Sequence, residues 1–377
     1  MGGSLQLGEQ RRRAPPSLRG GTAMTTVAIL HAYSASNAGD GLLVDAAIDL
    51  LDGIDPETEY TVFARYPESF TPRDRVRFLS TRWTARSGLS GLRSLGRLDD
   101  FDLVVGVGGG YLRFGGVVET LKTSIAHLPQ LVAAARTATP TVYLPQSIGP
   151  EGRVIRRVLR SLLAEIDLVC LRDDRSVREL GLPNAVRMPD MALLDPDWAT
   201  RTAPLRDRTP VLSVRPVRRA GWTRILELAA VLRPFDGWVQ SRGAGNDDDR
   251  AVGATCPERV LDRDEYVNGP RRVVVAVRLH AALMALRAGH WVVHLAYERK
   301  GFGAFDDLGL SEYVQSVYAF DPTAVDEQIR QLVADPELRG RYDAAVSVAL
   351  RGFDEHRTAL SDRLAELAGA RATATTE

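Results

Sequence analysis

The segment DLVVGVG, residues 102–108, is an almost unbroken apolar run that ends in glycines. Such a run is typical of a strand that is buried on both faces, as the strands of a parallel sheet are. A second run of this kind, RRVVVAV at residues 271–277, occurs in the other half of the chain. The two runs predict one buried parallel sheet in each half.

Short β-branched runs alternate with longer amphipathic stretches on both sides of these two segments, which is the pattern of βαβ units. In the first half we predict strands at Thr26–His31, Tyr60–Ala64, Leu103–Val107, Thr141–Leu144 and Leu168–Leu171, and helices at Gly41–Leu51, Leu121–Ala135 and Val154–Ile166. In the second half we predict strands at Val211–Val214, Gly237–Gln240, Val273–Val277 and Trp291–Leu295, and helices at Trp222–Leu232 and Leu279–Arg287. The fold class is therefore α/β, with two Rossmann-like, doubly wound parallel-sheet domains.

The length of 377 residues also favours two domains. A segment rich in proline and charge interrupts the alternation near residue 200, and two helices broken near Asp335-Pro336 follow the last strand. The predicted division is a disordered extension at 1–23, an N-terminal Rossmann-like domain at 24–195, a linker at 196–209, a C-terminal Rossmann-like domain at 210–320, helices packing across the domain junction at 321–367, and a frayed tail at 368–377.

The composition excludes several classes of protein. The formal net charge is zero, so no global field attracts the protein to nucleic acid or to an anionic membrane. The only cysteines are Cys170 and Cys256, which argues against a disulfide framework or a structural zinc site and fits a reducing compartment. The chain has no apolar run of about 18 residues, and residues 1–23 lack the apolar region of a secretory signal. We expect a cytoplasmic protein with no transmembrane segment and no nucleic-acid partner.

Open α/β sheets bind ligands at the carboxyl ends of their strands, so the polar residues that follow strands are the candidates for chemistry. After the first strand, Ser34–Asp40 leads into a helix, where backbone N–H groups and the helix dipole favour an anion. The structural alternative is a tight turn with Asp40 as the N-cap. After the third strand, Gly108, Gly109 and Gly110 indicate a close approach to the backbone, either by a ligand or by a neighbouring loop.

Gln146 and Arg172 follow the next two strands. The planar fork of an arginine suits the phosphate or carboxylate of an anionic ligand. The structural alternative is an ion pair of Arg172 with Asp173 or Asp174, which local sequence favours slightly.

In the second half, Arg278 and His280 directly follow RRVVVAV, and Lys300 follows the next strand. A lone histidine is more often structural than catalytic, but this one lies at a strand end beside an arginine. Lys300 is one of only two lysines in the chain, and its rarity and position favour a functional role. The cluster Asp247–Asp249 could bind a divalent cation, although a solvated helix start is the favoured interpretation.

In this order, the motifs resemble those of the polysaccharide pyruvyl transferase family over residues 26–310. The matching motifs are Asn37-x-Gly39-Asp40, Gly108-Gly109-Gly110, Gln146-x-x-Gly149-Pro150, Arg172-Asp173-x-x-Ser176, Pro189-Asp190, Arg215 after a strand, Arg278-Leu279-His280-Ala281 and Tyr297-x-x-Lys300. The resemblance implies two Rossmann-type domains in a glycosyltransferase-B-like arrangement. It also implies transfer of the enolpyruvyl group of phosphoenolpyruvate to two sugar hydroxyls, which forms a pyruvate ketal and releases phosphate.

Under this resemblance, Arg172, Arg278 and His280 match donor-handling and catalytic positions, and Lys300 and Asn37 match other functional positions. We predict catalytic roles for His280, Arg172 and Lys300. The predicted substrate-binding residues are Arg278, Asn37, Asp40, Gly109, Gly110, Gln146 and Arg215. Arginine and lysine can neutralise the donor, so we predict no metal and no cofactor beside phosphoenolpyruvate.

The expected acceptor is a cell-envelope glycan or its lipid-linked precursor, which leaves open a peripheral position at the inner membrane face. Two other functions stay open at this point. One is a nucleotide-sugar glycosyltransferase of the same gross fold, and the other is a non-catalytic glycan-binding relative.

Overall fold

The computed structural model describes residues 26–82, 90–149, 152–198, 205–242 and 247–374. The predicted extension at 1–23 lies outside the described residues, and so does the middle of the predicted linker. Two parallel sheets form the framework, as the apolar strand runs predict. The domain boundaries themselves stay a prediction.

The first sheet has seven parallel strands in the order β3-β2-β1-β4-β5-β6-β7. They are β1 (Thr26–Ala32), β2 (Glu59–Ala64), β3 (Val76–Ser80), β4 (Leu103–Gly106), β5 (Thr141–Gln146), β6 (Leu168–Leu171) and β7 (Ala185–Arg187). The helices of this half are α1 (Ala38–Asp52), α2 (Ser90–Leu95), α3 (Val117–Ala126), α4 (Leu128–Ala134), α5 (Arg153–Leu163) and α6 (Asp174–Leu180). The single predicted helix Leu121–Ala135 is two helices, because Pro129 lies in the first turn of α4 and cannot continue α3.

The second sheet has six parallel strands in the order β10-β9-β8-β11-β12-β13. They are β8 (Val211–Ser213), β9 (Asp236–Trp238), β10 (Val260–Leu261), β11 (Val273–Ala276), β12 (Trp291–Ala296) and β13 (Val314–Ser316). The helices are α7 (Arg219–Leu232), α8 (Asp249–Ala254), α9 (Arg263–Asn268), α10 (Leu279–Arg287), α11 (Arg299–Asp307), α12 (Pro322–Ala334) and α13 (Pro336–Ala374). The strand order of each sheet is that of a Rossmann fold, so the predicted fold class is confirmed.

Buried apolar residues form two clusters around this framework. One lies on the α4–α5 side of the first sheet, and the other runs from the α1 side of that sheet into the second half and includes Phe353, Leu360 and Leu364 of α13. The tail was predicted to fray from residue 368, whereas α13 continues to Ala374. None of the described helices is long and apolar enough to cross a bilayer.

Candidate active site

A cleft of about 710 Å³ lies where the strand order of both sheets reverses. Its lining residues follow β1 and β4 in the first sheet and β8 and β11 in the second, together with loops after β9, β12 and β13. These reversals are the topological switch points at which open α/β sheets bind ligands. The two halves of the chain therefore present their ligand-binding edges to one shared space.

All the predicted site residues except Arg172 and Gln146 line this cleft. Those that do are Asn37, Asp40, Gly109, Gly110, Arg215, Arg278, His280 and Lys300. Arg172 and Gln146 are buried and lie outside its lining. Neither polar atom of the Gln146 amide has a hydrogen-bond partner among the described residues.

Asn37 holds the start of α1 against the second half of the chain. Its side-chain oxygen accepts the N–H of Gly39 at 3.2 Å, which makes Asn37 the N-cap of α1 in place of Asp40. The same oxygen accepts a hydrogen bond from Nε2 of Gln240 at 3.2 Å. Asn37 therefore fixes one wall of the cleft to the other.

The ring of His280 packs on the bare backbone of Gly39. A Cβ atom at Gly39 would lie 2.3 Å from Nδ1 of His280, closer than any real contact, so only glycine fits there. Nε2 of His280 lies 4.0 Å from Asp190 and has no hydrogen-bond partner among the described residues. Burial, opposed by Asp190 and assisted by Arg172 and Lys300, lowers the pKa of His280 to about 4. The imidazole is neutral at neutral pH.

Arg172 is fixed by contacts that the local sequence does not reveal. Its Nε donates to Ser147 at 3.0 Å and its Nη1 forms an ion pair with the buried Asp190. The predicted alternative, a pair with Asp173 or Asp174, is wrong, because Asp173 caps α6. Nη2 of Arg172 has no partner among the described residues.

Different structural constraints favour glycine at each of the three positions after β4. A Cβ at Gly108 would lie 2.8 Å from the carbonyl oxygen of Pro145, and Gly109 has a φ of +139°. A Cβ at Gly110 would lie 3.2 Å from Nη2 of Arg172 and 3.9 Å from Nζ of Lys300. A side chain at Gly110 would therefore crowd Arg172, and the backbone of Gly110 lies close to two cations. Gly108 shows the neighbouring-loop alternative of the prediction, and a ligand beside Gly110 stays a prediction.

Lys300 belongs to a chain of ion pairs that crosses the cleft. Its Nζ lies 3.2 Å from Glu298, and Glu298 lies 2.7 Å from Arg113 of the first half. Burial alone would raise the pKa of Glu298, but Lys300 and Arg113 outweigh it and bring that pKa to about 2. A smaller cavity of about 200 Å³, lined by these three residues, Arg175 and Arg299 among others, adjoins the cleft.

Arg278 is paired with the aspartate cluster. Its Nε and Nη2 contact the carboxylate of Asp248 at 2.6 and 2.8 Å, and both side chains are buried. Asp248 is therefore not solvated, whereas Asp247 and Asp249 are exposed and Asp249 begins α8. The favoured interpretation, a solvated helix start, is wrong for Asp248 alone. Among the described residues, no group of three His, Cys, Asp or Glu side chains could hold a metal ion.

Asp40 and Arg215 complete the predicted set. Burial raises the pKa of Asp40 to about 6, although Lys300, Asn37 and Arg278 oppose the shift. Arg215 stacks 4.6 Å over the ring of Tyr297 and donates to its hydroxyl at 2.8 Å.

Sequence reasoning missed a wall of histidine and aromatic rings at the first sheet. The ring of His31 stacks on Tyr111 with 4.5 Å between the ring centroids. Nε2 of His31 lies 2.7 Å from the hydroxyl of Tyr143, and Nδ1 of His31 lies 3.4 Å from Nδ1 of His127. Burial lowers the pKa of both histidines, that of His127 to about 3. His31 lies at the end of a predicted strand, which could have singled it out, whereas nothing in the sequence distinguishes His127.

Solved structures with a similar fold cover nearly the whole chain. A glycosyltransferase from Rickettsia africae has a TM-score of 0.56 and 8% identity, covering 90% of this chain and 98% of that one. A trehalose-6-phosphate protein from E. coli bound with UDP-2-fluoro glucose has a TM-score of 0.54 and 11% identity, covering 90% and 99%. A UGT transferase from Siraitia grosvenorii in complex with UDP has a TM-score of 0.50 and 12% identity, covering 89% and 100%. These similarities confirm the glycosyltransferase-B-like arrangement.

The sequence comparisons identify the family. The comparison with curated proteins finds no match. The family model of polysaccharide pyruvyl transferase matches residues 37–242, which include Asn37, Arg172 and Arg215 and end before His280 and Lys300. Because that match covers more than half of the 377 residues, this chain belongs to the polysaccharide pyruvyl transferase family.

Proposed function

We propose that the protein transfers the enolpyruvyl group of phosphoenolpyruvate to two hydroxyls of a glycan sugar and forms a pyruvate ketal. Family membership places the protein among transferases. The observation that carries the finer proposal is the pair of cations beside Gly110. Nη2 of Arg172, which is buried and has no hydrogen-bond partner among the described residues, and Nζ of Lys300 both lie near Gly110, and Gly110, Lys300 and His280 line the cleft.

The two cations beside Gly110 suit a small, doubly anionic donor. Phosphoenolpyruvate carries a phosphate and a carboxylate, and guanidinium and ammonium groups neutralise both in a partly dry site. The ammonium of Lys300 lies 3.2 Å from the carboxylate of Glu298. A bound anion would compete with Glu298 for that ammonium. We expect the donor to lie between Arg172 and Lys300, without a metal ion.

The reaction requires protons to move between carbon and oxygen. Two sugar oxygens form bonds to the central carbon of the donor, the bond from that carbon to the phosphate oxygen breaks, and the methylene carbon becomes a methyl group. The two sugar hydroxyls lose one proton each. One of these protons is matched by the proton that the methylene carbon gains, and the other leaves with the released phosphate. A neutral His280, whose Nε2 has no hydrogen-bond partner in the described part of the chain, can accept the proton of an attacking hydroxyl. We assign it that step.

The acceptor would bind against the histidine and aromatic wall. His31 and His127 are neutral there, and Tyr111 offers a ring face and a hydroxyl that has no partner among the described residues. Such a surface suits an uncharged sugar better than a doubly charged donor. We expect the sugar to belong to a cell-envelope glycan or its lipid-linked precursor, and the cytoplasmic location stays a prediction.

A nucleotide-sugar glycosyltransferase is the chief alternative, because two of the similar structures were solved with UDP or a UDP-sugar. Thermal unfolding with each class of ligand, in the presence of a chelator, separates the two functions. A ligand at 100 times its dissociation constant adds about 2.7 kcal/mol of stability. We expect phosphoenolpyruvate to stabilise the protein and UDP-sugars to leave it unchanged. The reverse result would assign the nucleotide-sugar function.

The two lysines of the chain provide a matched pair of variants. Lys300→Gln removes a charged hydrogen-bond donor from the proposed donor site, a loss of about 1.5–3 kcal/mol or roughly ten- to a hundredfold in affinity. Lys122→Gln changes an exposed residue of α3 and should bind phosphoenolpyruvate like the wild type. Equal effects of the two variants would contradict the assignment of Lys300.

A further inference from the structure

Helix α3 presents its apolar side to solvent. Val117, Val118, Leu121 and Ile125 are 88%, 67%, 60% and 57% exposed. At 100° per residue these four positions fall within one side of the helix, while Thr123 and Ala126 on the opposite side are buried. An apolar stripe of this kind on the outside of a soluble domain marks an interaction surface.

Helix α5 adds positive charge. Its sequence RVIRRVLRSLL contains four arginines and no acidic residue. Arg153, Arg157 and Arg160 are exposed, and so are Val154 and Val158, at 78% and 48%. Because the chain as a whole has no net charge, this concentration is local.

The two helices belong to the same layer of the first half. Strands β4, β5 and β6 are consecutive neighbours in the sheet, so the right-handed crossovers that contain α3, α4 and α5 lie on one side of it. Helix α4 contacts both α3 and α5. Glu119 of α3 lines the cleft from the side of the helix opposite the apolar stripe, so α3 lies between the cleft and this stripe. We call the exposed residues of α3 and α5 the α3–α5 surface.

We propose that the α3–α5 surface docks the protein on an anionic lipid bilayer. Valine, leucine and isoleucine of α3 would enter the interface between headgroups and acyl chains, as the apolar face of an interfacial helix does. The arginines of α5 would contact anionic headgroups. This contact places α3, whose opposite side lines the cleft, at the membrane, where a lipid-linked saccharide would be found.

Charge repulsion disfavours two other partners of the α3–α5 surface, a second copy of the chain and the N-terminal residues of the same chain. In a symmetric dimer the surface would face its own copy and bring the arginines of two α5 helices together. Residues 1–25 carry Arg11, Arg12 and Arg13 and would also add positive charge to a positive surface. An anionic bilayer is the partner that complements both the apolar stripe and the arginines.

Sedimentation of the full chain with lipid vesicles tests this proposal without donor or acceptor. The vesicles are phosphatidylcholine alone or phosphatidylcholine mixed with phosphatidylglycerol. We expect binding to the anionic vesicles only, weakened by salt. Arg157→Gln and Arg160→Gln should each weaken binding about fivefold, and Leu121→Asp with Ile125→Asp should abolish it. Val348→Asp and Arg351→Gln change exposed residues of α13 and should bind like the wild type.

Three results would overturn the proposal. They are the absence of binding to anionic vesicles, equal binding to both vesicle types, and a dimer in solution that Leu121→Asp dissociates. Thermal unfolding of each variant verifies its fold, and phosphoenolpyruvate affinity reports the cleft separately. A protein that does not bind vesicles would therefore contradict only the proposal of membrane docking. A protein that does not bind phosphoenolpyruvate would contradict only the proposed function.

Discussion

Replacing Gly39 by alanine should disable the site through a single methyl group. The new Cβ would lie 2.3 Å from Nδ1 of His280 and 2.7 Å from its Cβ and Cγ. Ordinary contacts of such atoms are about 3.5–4.0 Å, so the ring must move by roughly 1 Å. Overpacking of this kind costs about 1–3 kcal/mol of folding free energy. A displacement of about 1 Å at a catalytic group can cost on the order of 10²-fold in rate.

Two measurements on the same variant test this reasoning. Phosphate release from phosphoenolpyruvate, with the acceptor glycan present, gives turnover, and chemical unfolding gives stability. Gly303→Ala is the matched control. Gly303 lies in α11, the helix that also contains Lys300, and a Cβ at Gly303 would have no neighbour within 4 Å. We expect the control to match the wild type. Wild-type turnover and stability in Gly39→Ala would refute the close packing of His280 on α1.

Three further predictions concern buried titratable side chains. His280→Asn should keep the fold and much of the donor affinity while turnover falls about 10²–10⁴-fold, as expected for a lost general base; a collapsed melting temperature would indicate a structural role. Asp248→Asn should cost about 3–5 kcal/mol in chemical unfolding, because it leaves Arg278 buried without its carboxylate; a change below about 1 kcal/mol would contradict this. Burial lowers the pKa of His127, His280 and His294 to about 3, 4 and 4, so below about pH 6.5 the unfolded chain binds protons that the folded chain does not. Stability should therefore fall as the pH drops from about 6.5 to about 4, and a flat profile over this range would contradict the burial of these rings.

The sequence predicted strands correctly where burial of both faces requires a continuous apolar run. Leu103–Gly106 and Val273–Ala276 are central strands and fully buried, so both faces are apolar. The strands that prediction missed include Ala185–Arg187, Val260–Leu261 and Val314–Ser316 at the sheet edges. They have two or three residues each and expose part of one face, which leaves no period to recognise.

That most of the candidate residues line one cleft was predictable for a topological reason, whereas their hydrogen-bond and ion-pair partners were not. Parallel strands bring their carboxyl ends to one edge, so His280 and Lys300 could be identified from the strands that precede them. The contacts of Asp190 with His280 and of Glu298 with Arg113 depend on how the two halves meet. The ion pair of Asp190 with Arg172 lies within the first half and depends on where the loop after β7 places Asp190. No local rule pairs Arg172 with a residue 18 positions away when Asp173 stands next to it. The N-cap requirement of α6 decides that Asp173 serves the helix instead.

The central claim is that the enolpyruvyl group of phosphoenolpyruvate is transferred to a sugar in the cleft. The most direct measurement incubates the protein with phosphoenolpyruvate and the lipid-linked saccharides or surface glycan of the producing cells, with a chelator present. Inorganic phosphate and glycan-bound, acid-labile pyruvate are then quantified in the same sample. We predict that the two appear in equal amounts and that both are lost in His280→Asn. Phosphate without bound pyruvate, or glycan modification only when a nucleotide sugar is supplied, would contradict the claim.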